Sequence, residues 1–208
     1  RSCSPVRTCR RASTSHRPCL IARFSSLYSQ ERVEAETNLR AYVCSAEMAQ
    51  RIIYAAVVES FCVAKIAFWK VKIHVKEVLA LDHLGPDALE VAALEYIACH
   101  KNLHDVCHSV EEVICCMNRN PTIACPSHVD FCVIRTFIRE LCCLAFTMQT
   151  LIPPLDIAIG VDGEVYNKTM YYRSCNSDFT SSVVAYHIWP ALMENGVVVV
   201  KGEVVTRS

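Results

Sequence analysis

Only one glycine occurs before residue 160 of this 208-residue chain; the other four, Gly160, Gly163, Gly196 and Gly202, all follow Pro154. Glycine is the residue that lets a backbone turn tightly at no steric cost. A long stretch with one glycine and then a cluster of them predicts a body of long helices followed by a turn-rich, partly β end. The expected fold class is therefore mainly α, a helical bundle with a small C-terminal β element. Hydrophobic residues make up 52% of the chain, enough to build a sizeable core without cross-links.

The breakers divide the body. A helix near Ser26 to Val43 precedes a long apolar helix near Ala46 to Asp82, which stops at Gly85-Pro86. Asp87 with Glu90 reads as an N-cap and capping-box partner for a third helix, whose apolar seam runs Leu89, Ala92, Tyr96, Cys99, Leu103, Val106, Val110, Val113, Met117. Steps of three and four place these on one face. Asn118 to Pro126 forms the next break. Ser127 with Asp130 repeats the cap pattern before "FCVIRTFIRELCCLAFTM", and Pro153-Pro154 closes that helix. Beyond it, Ile157, Ile159 and Val161, then Asp162-Gly163, then Val165 give a hairpin signal. "SSVVAYHIWPALMENG" reads as helix, with Pro190 starting a fresh turn. Val197 to Val200 and Val204-Val205 are strand candidates.

Residues 1–22 differ from the rest. They carry Arg1, Arg7, Arg10, Arg11 and Arg17 among serines, and the first acid is Glu31. This composition predicts a disordered basic linker ahead of one globular domain over residues 23–208. A mitochondrial transit segment is the alternative. A chain beginning at arginine is expected to be a fragment or a processed product. Lys and Arg total 21, as do Asp and Glu, so the balance of charge gives no sign of a nucleic-acid partner. The most apolar stretch, Ile52 to Leu81, is interrupted by charges and reads as a core helix rather than a membrane span.

Cysteine and histidine are conspicuous. "CHKNLHDVCH", Cys99 to His108, holds two cysteines and three histidines. On one continuous helix Cys99 falls in the apolar seam, while His100, His104 and His108 form a separate row about 100° away. Only His104, His108 and Glu111 could then offer three metal ligands, without an evident fourth or an orienting second shell. The expectation is a solvated or partner-facing histidine row and no bound metal. The fourteen cysteines lie mostly among apolar residues and read as buried reduced thiols rather than a disulfide framework. The spacings Cys115–Cys125 and Cys132–Cys142 match twin cysteine-pair hairpins of the mitochondrial intermembrane space. Cys115–Cys125 spans a helix break, and Cys9–Cys19 shows the same spacing in the tail.

Catalytic signatures are missing: no G-x-S-x-G, H-E-x-x-H, phosphate loop or dinucleotide fingerprint occurs. Asp178, Ser181 and His187 could be imagined as a triad, but nothing in the sequence places them together. Lys65, Lys72 and Lys76 fall on one side of the second helix. They read either as a solvated stripe or as a contact with anionic lipid.

The C-terminal third carries a resemblance. "PPLDI" at 153–157, "YRSCNSDF" at 172–179, "HIWPALMENG" at 187–196 and "VKGEVVTR" at 200–207 resemble the C-terminal domain of the mitochondria-eating protein family, and "ARFSSLYSQERVEA" at 22–35 resembles the start of that domain. The resemblance implies a non-catalytic regulator of mitochondrial quality control, acting in the cytoplasm and at mitochondria, with protein partners and an association with the anionic lipid cardiolipin. It implies no cofactor and no catalytic residues. Lys65, Lys72 and Lys76 are then the candidate lipid contacts, and His187, Trp189 and Pro190 the candidate partner contacts. The alternative is a metal- or thiol-dependent enzyme using the His/Cys-rich third helix.

Overall fold

The computed structural model describes residues 6–43, 45–80, 85–123 and 130–207, with side chains from residue 16 onward. Helix α1 (Val6–Ser26) passes through a π-helical turn at Leu27–Glu31 into α2 (Arg32–Arg40). Helix α3 (Ala46–Leu79) is followed by α4 (Pro86–Cys99), a 3-10 turn at Lys101–Leu103, α5 (Val106–Arg119), a second 3-10 turn at Phe131–Ile134 and α6 (Arg135–Met148). The β end comprises β1 (Leu155–Ile157), β2 (Tyr171–Arg173), β3 (Val184–Trp189), β4 (Leu192–Glu194), β5 (Val197–Val200) and β6 (Gly202–Thr206).

Helix α3 is the axis of the body and packs against α4, α5 and α6. It starts cleanly because the Ser45 side chain accepts the backbone N–H of Met48, satisfying one of the donors a helix start leaves open. Its inward residues Ile52, Ile53, Val57, Phe61, Phe68 and Val75 meet Ile138, Leu141 and Phe146 of α6 and Val113 and Met117 of α5 in one continuous core. By length and composition α3 could cross a membrane, yet 56% of its most apolar window is buried in the fold, as expected of a core helix.

Two three-stranded sheets form the cap, in the orders β1-β4-β5 and β2-β6-β3. Both β4–β5 and β3–β6 pair antiparallel, while β2 runs parallel to β6. The β4–β5 hairpin turns at Asn195-Gly196, both with positive φ, the conformation such a turn demands. Trp189 stitches cap to body, its ring 5.3 Å from Phe24, 5.6 Å from Tyr28 and 6.5 Å from Phe137. Arg17 reinforces the junction through two hydrogen bonds, 2.7 and 2.8 Å, to the carboxylate of Glu194 on β4.

The mainly helical class with a C-terminal β element is the one observed, and several local expectations are corrected. Residues 6–22 are helical rather than a linker: Leu20 joins the core and Arg17 reaches Glu194. The third helix is two helices. His100 leaves helical geometry at φ −117°, ψ 73°, and the Asp105 side chain caps a new helix by accepting the N–H of His108. Helix α4 starts at Gly85 with Pro86 at its first turn, not at an Asp87–Glu90 capping box. Along α4 the buried residues are Ala93, Leu94 and Ile97, whereas Tyr96 and Cys99 are exposed. The second half of the seam, Val110, Val113 and Met117, is buried as expected. Asp130 does cap, by accepting the N–H of Cys132; Ser127 lies outside the described residues. Asp162-Gly163 turns the chain, but β1 pairs with β4 instead of with the residues after that turn, and Val165 bridges Val183. "SSVVAYHIWPALMENG" is β3 and β4, not helix. Val184–Trp189 is buried at five of its six positions, which erases the alternation that would have marked a strand.

The cysteines also differ from expectation. Cys142 is buried, and Cys62, Cys116 and Cys143 are half-buried. Cys19, Cys99, Cys107, Cys115, Cys132 and Cys175 are exposed free thiols.

Candidate functional site

The residues singled out in the sequence fall into three places. His104, His108 and Glu111 do not converge. His104 precedes α5 and points inward, stacked on Phe146 at 4.1 Å with its Nε2 3.0 Å from Ser109 Oγ. Burial pushes its pKa down to about 4, because a charged imidazole is poorly solvated there. His108 is exposed beside Glu112 at 3.4 Å, and Glu111 pairs with Arg135 of α6. Since His100 sits in the break between helices, the three histidines form no common row. Among the described residues no group of three or more His, Cys, Asp or Glu side chains is placed to hold a metal ion.

His187, Trp189 and Pro190 are all buried, so their side chains offer no open docking face. His187 instead holds the Asp162-Gly163 turn against the body. Its Nε2 lies 2.9 Å from Glu164 Oε1 and its Nδ1 3.6 Å from Asp162 Oδ1. Tyr54 of α3 stacks on one side at 5.2 Å, and Tyr171 meets the ring edge-on at 5.3 Å. Arg51 of α3 pairs with Asp162 at 2.5 Å and with Glu47 at 3.1 Å, and Arg207 pairs with Glu47 at 2.7 Å. Burial pushes the Tyr54 hydroxyl up to about 12, and it accepts the N–H of Gly160. Groups of acid–base type are thus gathered, but around an imidazole whose side chain is 0% exposed. A side chain packed this way orders the turn.

The lysines lie along α3, Lys72 and Lys76 facing α4 and Lys65 facing β1. Lys65 pairs with Asp156 of β1. Lys72 is buried and shares Glu90 of α4 with Lys76, whose Nζ is 3.0 Å from that carboxylate. The Lys72 ammonium also sits 4.5 Å above the Trp69 ring. The two lysines hold the Glu90 pKa below the usual carboxylate range. Alongside them lies a feature the sequence reading passed over. Ile66, Trp69 and Ile73, at i, i+3 and i+7, are 54%, 50% and 55% exposed. This spacing makes one stripe on the helix, flanked by the exposed Lys70 and His74. The spacing of the stripe was legible but its exposure was not, because apolar residues on more than one face of a helix equally mark a buried central helix.

A family model described as mitochondria-eating protein matches residues 16–206. The chain is 53% identical over 198 residues to the mitochondria-eating protein of Gallus gallus, covering 95% of this chain and 41% of that protein. It is 52% identical over 196 residues to that of Homo sapiens, covering 94% and 36%. For that of Danio rerio the identity is 47% over 212 residues, covering 100% and 43%. The chain therefore spans about two fifths of the length of the curated relatives it matches. No solved structure matches. With the model match and the relatives both extending over nearly the whole sequence, the chain belongs to the mitochondria-eating protein family.

Proposed function

We propose that this domain is a non-catalytic interaction module in mitochondrial quality control, in the repair or degradation of damaged mitochondria, shared between cytoplasm and mitochondria and docking on protein partners and on anionic mitochondrial lipid. The observation that carries the reading is the exposed Ile66–Trp69–Ile73 stripe on α3 with Lys70, His74 and Lys76 beside it. Soluble surfaces rarely leave a contiguous apolar patch without a use. A tryptophan with flanking cations suits the boundary between hydrocarbon and headgroup. The names of the relatives support the mitochondrial setting of the reading, not the lipid contact.

Within this reading the three lysines divide their roles. Lys72 is buried and paired, so it orders the α3–α4 hairpin. Lys65 and Lys76 remain part-exposed, but Asp156 and Glu90 offset their charge, so the exposed Lys70 supplies most of the positive potential at the rim. Such a charge contributes about 1 kcal/mol near an anionic surface, and the apolar stripe supplies the rest. Co-sedimentation with phosphatidylcholine vesicles, with and without cardiolipin, tests it. Binding is expected only with cardiolipin, weaker at high salt, and lost in the Ile66→Glu/Ile73→Glu protein. Unchanged sedimentation of that double variant removes α3 as the contact.

A further inference from the structure

A cavity of about 160 Å3 opens where the end of α1 meets the β5–β6 corner. Phe24 and Trp189, both buried, form its floor; Tyr28 is a wall, and the exposed Tyr172 of β2 stands at the rim. Val200, Lys201, Gly202 and Glu203 complete it, with Ser25 opposite. The π-helical turn Leu27–Glu31 supplies the Tyr28 wall, and isolated π turns recur at binding sites. Pockets for drug-sized ligands run to about 300–1,000 Å3, so this one suits a group of a few heavy atoms.

The chemistry of the lining narrows the occupant. Four of its residues are aromatic, and an aromatic face attracts a cation. Both tyrosines already do so within the chain: Arg32 lies 4.5 Å from the Tyr28 ring centroid, and Lys201 Nζ 4.9 Å from that of Tyr172. Glu203, the one carboxylate of the lining, accepts the Tyr28 hydroxyl at 2.5 Å, which sets a negative charge beside the rings. Lys201 donates to the carbonyl of Lys168 at 2.8 Å while lying over the Tyr172 ring, so it is a competing cation at the rim. Apart from Glu203 the lining side chains are mostly aromatic or aliphatic, and a primary ammonium brings three donors that such walls satisfy poorly. A methylated ammonium has no such need.

We propose that this cavity binds a small quaternary or methylated ammonium group, held between the rings of Tyr28, Tyr172 and Trp189 with Glu203 as counter-charge. A methylated lysine side chain presents that chemistry; a choline headgroup does too, but phosphatidylcholine vesicles are the non-binding control for the α3 stripe, so the methylated lysine is the occupant assigned. None of the lining residues belongs to α3, so the inference stands apart from the proposed docking stripe.

The chain holds two tryptophans, so in the Trp69→Phe protein Trp189 is the sole tryptophan reporter. Its emission is followed while tetramethylammonium is added at constant ionic strength. The neutral isostere 3,3-dimethylbutan-1-ol serves as control. The result expected is a saturable change with the cation and an apparent affinity at least about tenfold weaker for the isostere. Tyr172→Leu, at an exposed rim position, should weaken cation binding about tenfold without touching the core. Lys201→Met should leave it unchanged or tighten it, since it removes a competing cation. Trimethyl-lysine should bind more tightly than phosphocholine; the reverse order would overturn the assignment of the occupant. The proposal is overturned by no saturable change with tetramethylammonium, by an equal response to the isostere, or by loss of binding in Lys201→Met, which would show that Lys201 shapes the site rather than competing for it.

Discussion

Two tryptophans divide this molecule. Trp69 lies on α3 in the helical body with half its surface in solvent; Trp189 lies on β3 in the cap and is 2% exposed. The sequence invites the opposite reading, since the first sits in the longest apolar stretch and the second in a segment of mixed character. The difference comes from what surrounds each. Helix α3 is apolar on more than one face and has α4, α5 and α6 on only part of its circumference. Strand β3 lies between β6 and the body, with Phe24, Tyr28 and Phe137 packed around its tryptophan. Apolar sequence marks what can be buried, while the number of neighbours the topology supplies decides what is.

The largest effect that would sharpen this contrast is truncation of each ring. Trp189→Ala should cost about 3–5 kcal/mol and lower the melting of body and cap together, because the indole packs between them. Trp69→Ala should cost about 0.5 kcal/mol or less. Denaturant melts followed by far-UV circular dichroism give both values. Equal costs would break the comparison.

The next effect is acid lability of the body. The folded chain protonates His104 only near pH 4, while an unfolded histidine takes its proton near about 6.5. Above pH 6.5 both states hold the neutral ring and the residue is silent. As pH falls from 6.5 toward 4 the unfolded state binds more protons, so stability drops, approaching about 3 kcal/mol in all. In His104→Gln this contribution should vanish, leaving a shallower decline between pH 6.5 and 4.5 in melts at stepped pH. Parallel curves for the two proteins would contradict the burial argument.

Glycine separates the regions again. A Cβ on Gly202 would come within 2.4 Å of the Trp189 carbonyl oxygen and 2.7 Å of the Ala191 nitrogen; at Gly85 it would meet nothing within 4 Å. Gly202→Ala should therefore cost about 1–3 kcal/mol, and Gly85→Ala almost nothing. Smallest is the tie across the junction. Arg17→Ala removes a part-exposed pair and should cost less than about 1 kcal/mol, read as a slight fall in melting temperature.

These contrasts mirror how much the sequence disclosed. The glycine distribution placed the α-to-β boundary, and the start of α3 at Ala46 was legible because helical periodicity survives burial on one side. The break at His100 was missed because α4 spreads its apolar residues around much of its circumference, so a seam could be extended smoothly across a gap. Asp105, a cap residue ahead of Val106, Val110 and Val113, was the available sign. Strand β3 was missed because it is buried on both faces and shows no alternation. The buried roles of His187 and Lys72 depend on Glu164 and Glu90, partners 23 and 18 residues away that no local pattern joins to them. The family resemblance, resting on contiguous motifs, needed no such pairing.

The docking claim rests on Trp69, and its own emission tests it most directly. In the Trp189→Phe protein, titration with phosphatidylcholine vesicles containing cardiolipin should shift Trp69 emission to the blue as the ring leaves water, and raised salt should reverse the shift. Vesicles of phosphatidylcholine alone should leave the spectrum unchanged. An emission maximum that stays put with cardiolipin, or moves equally with both vesicles, would contradict the α3 stripe as an anionic-membrane contact.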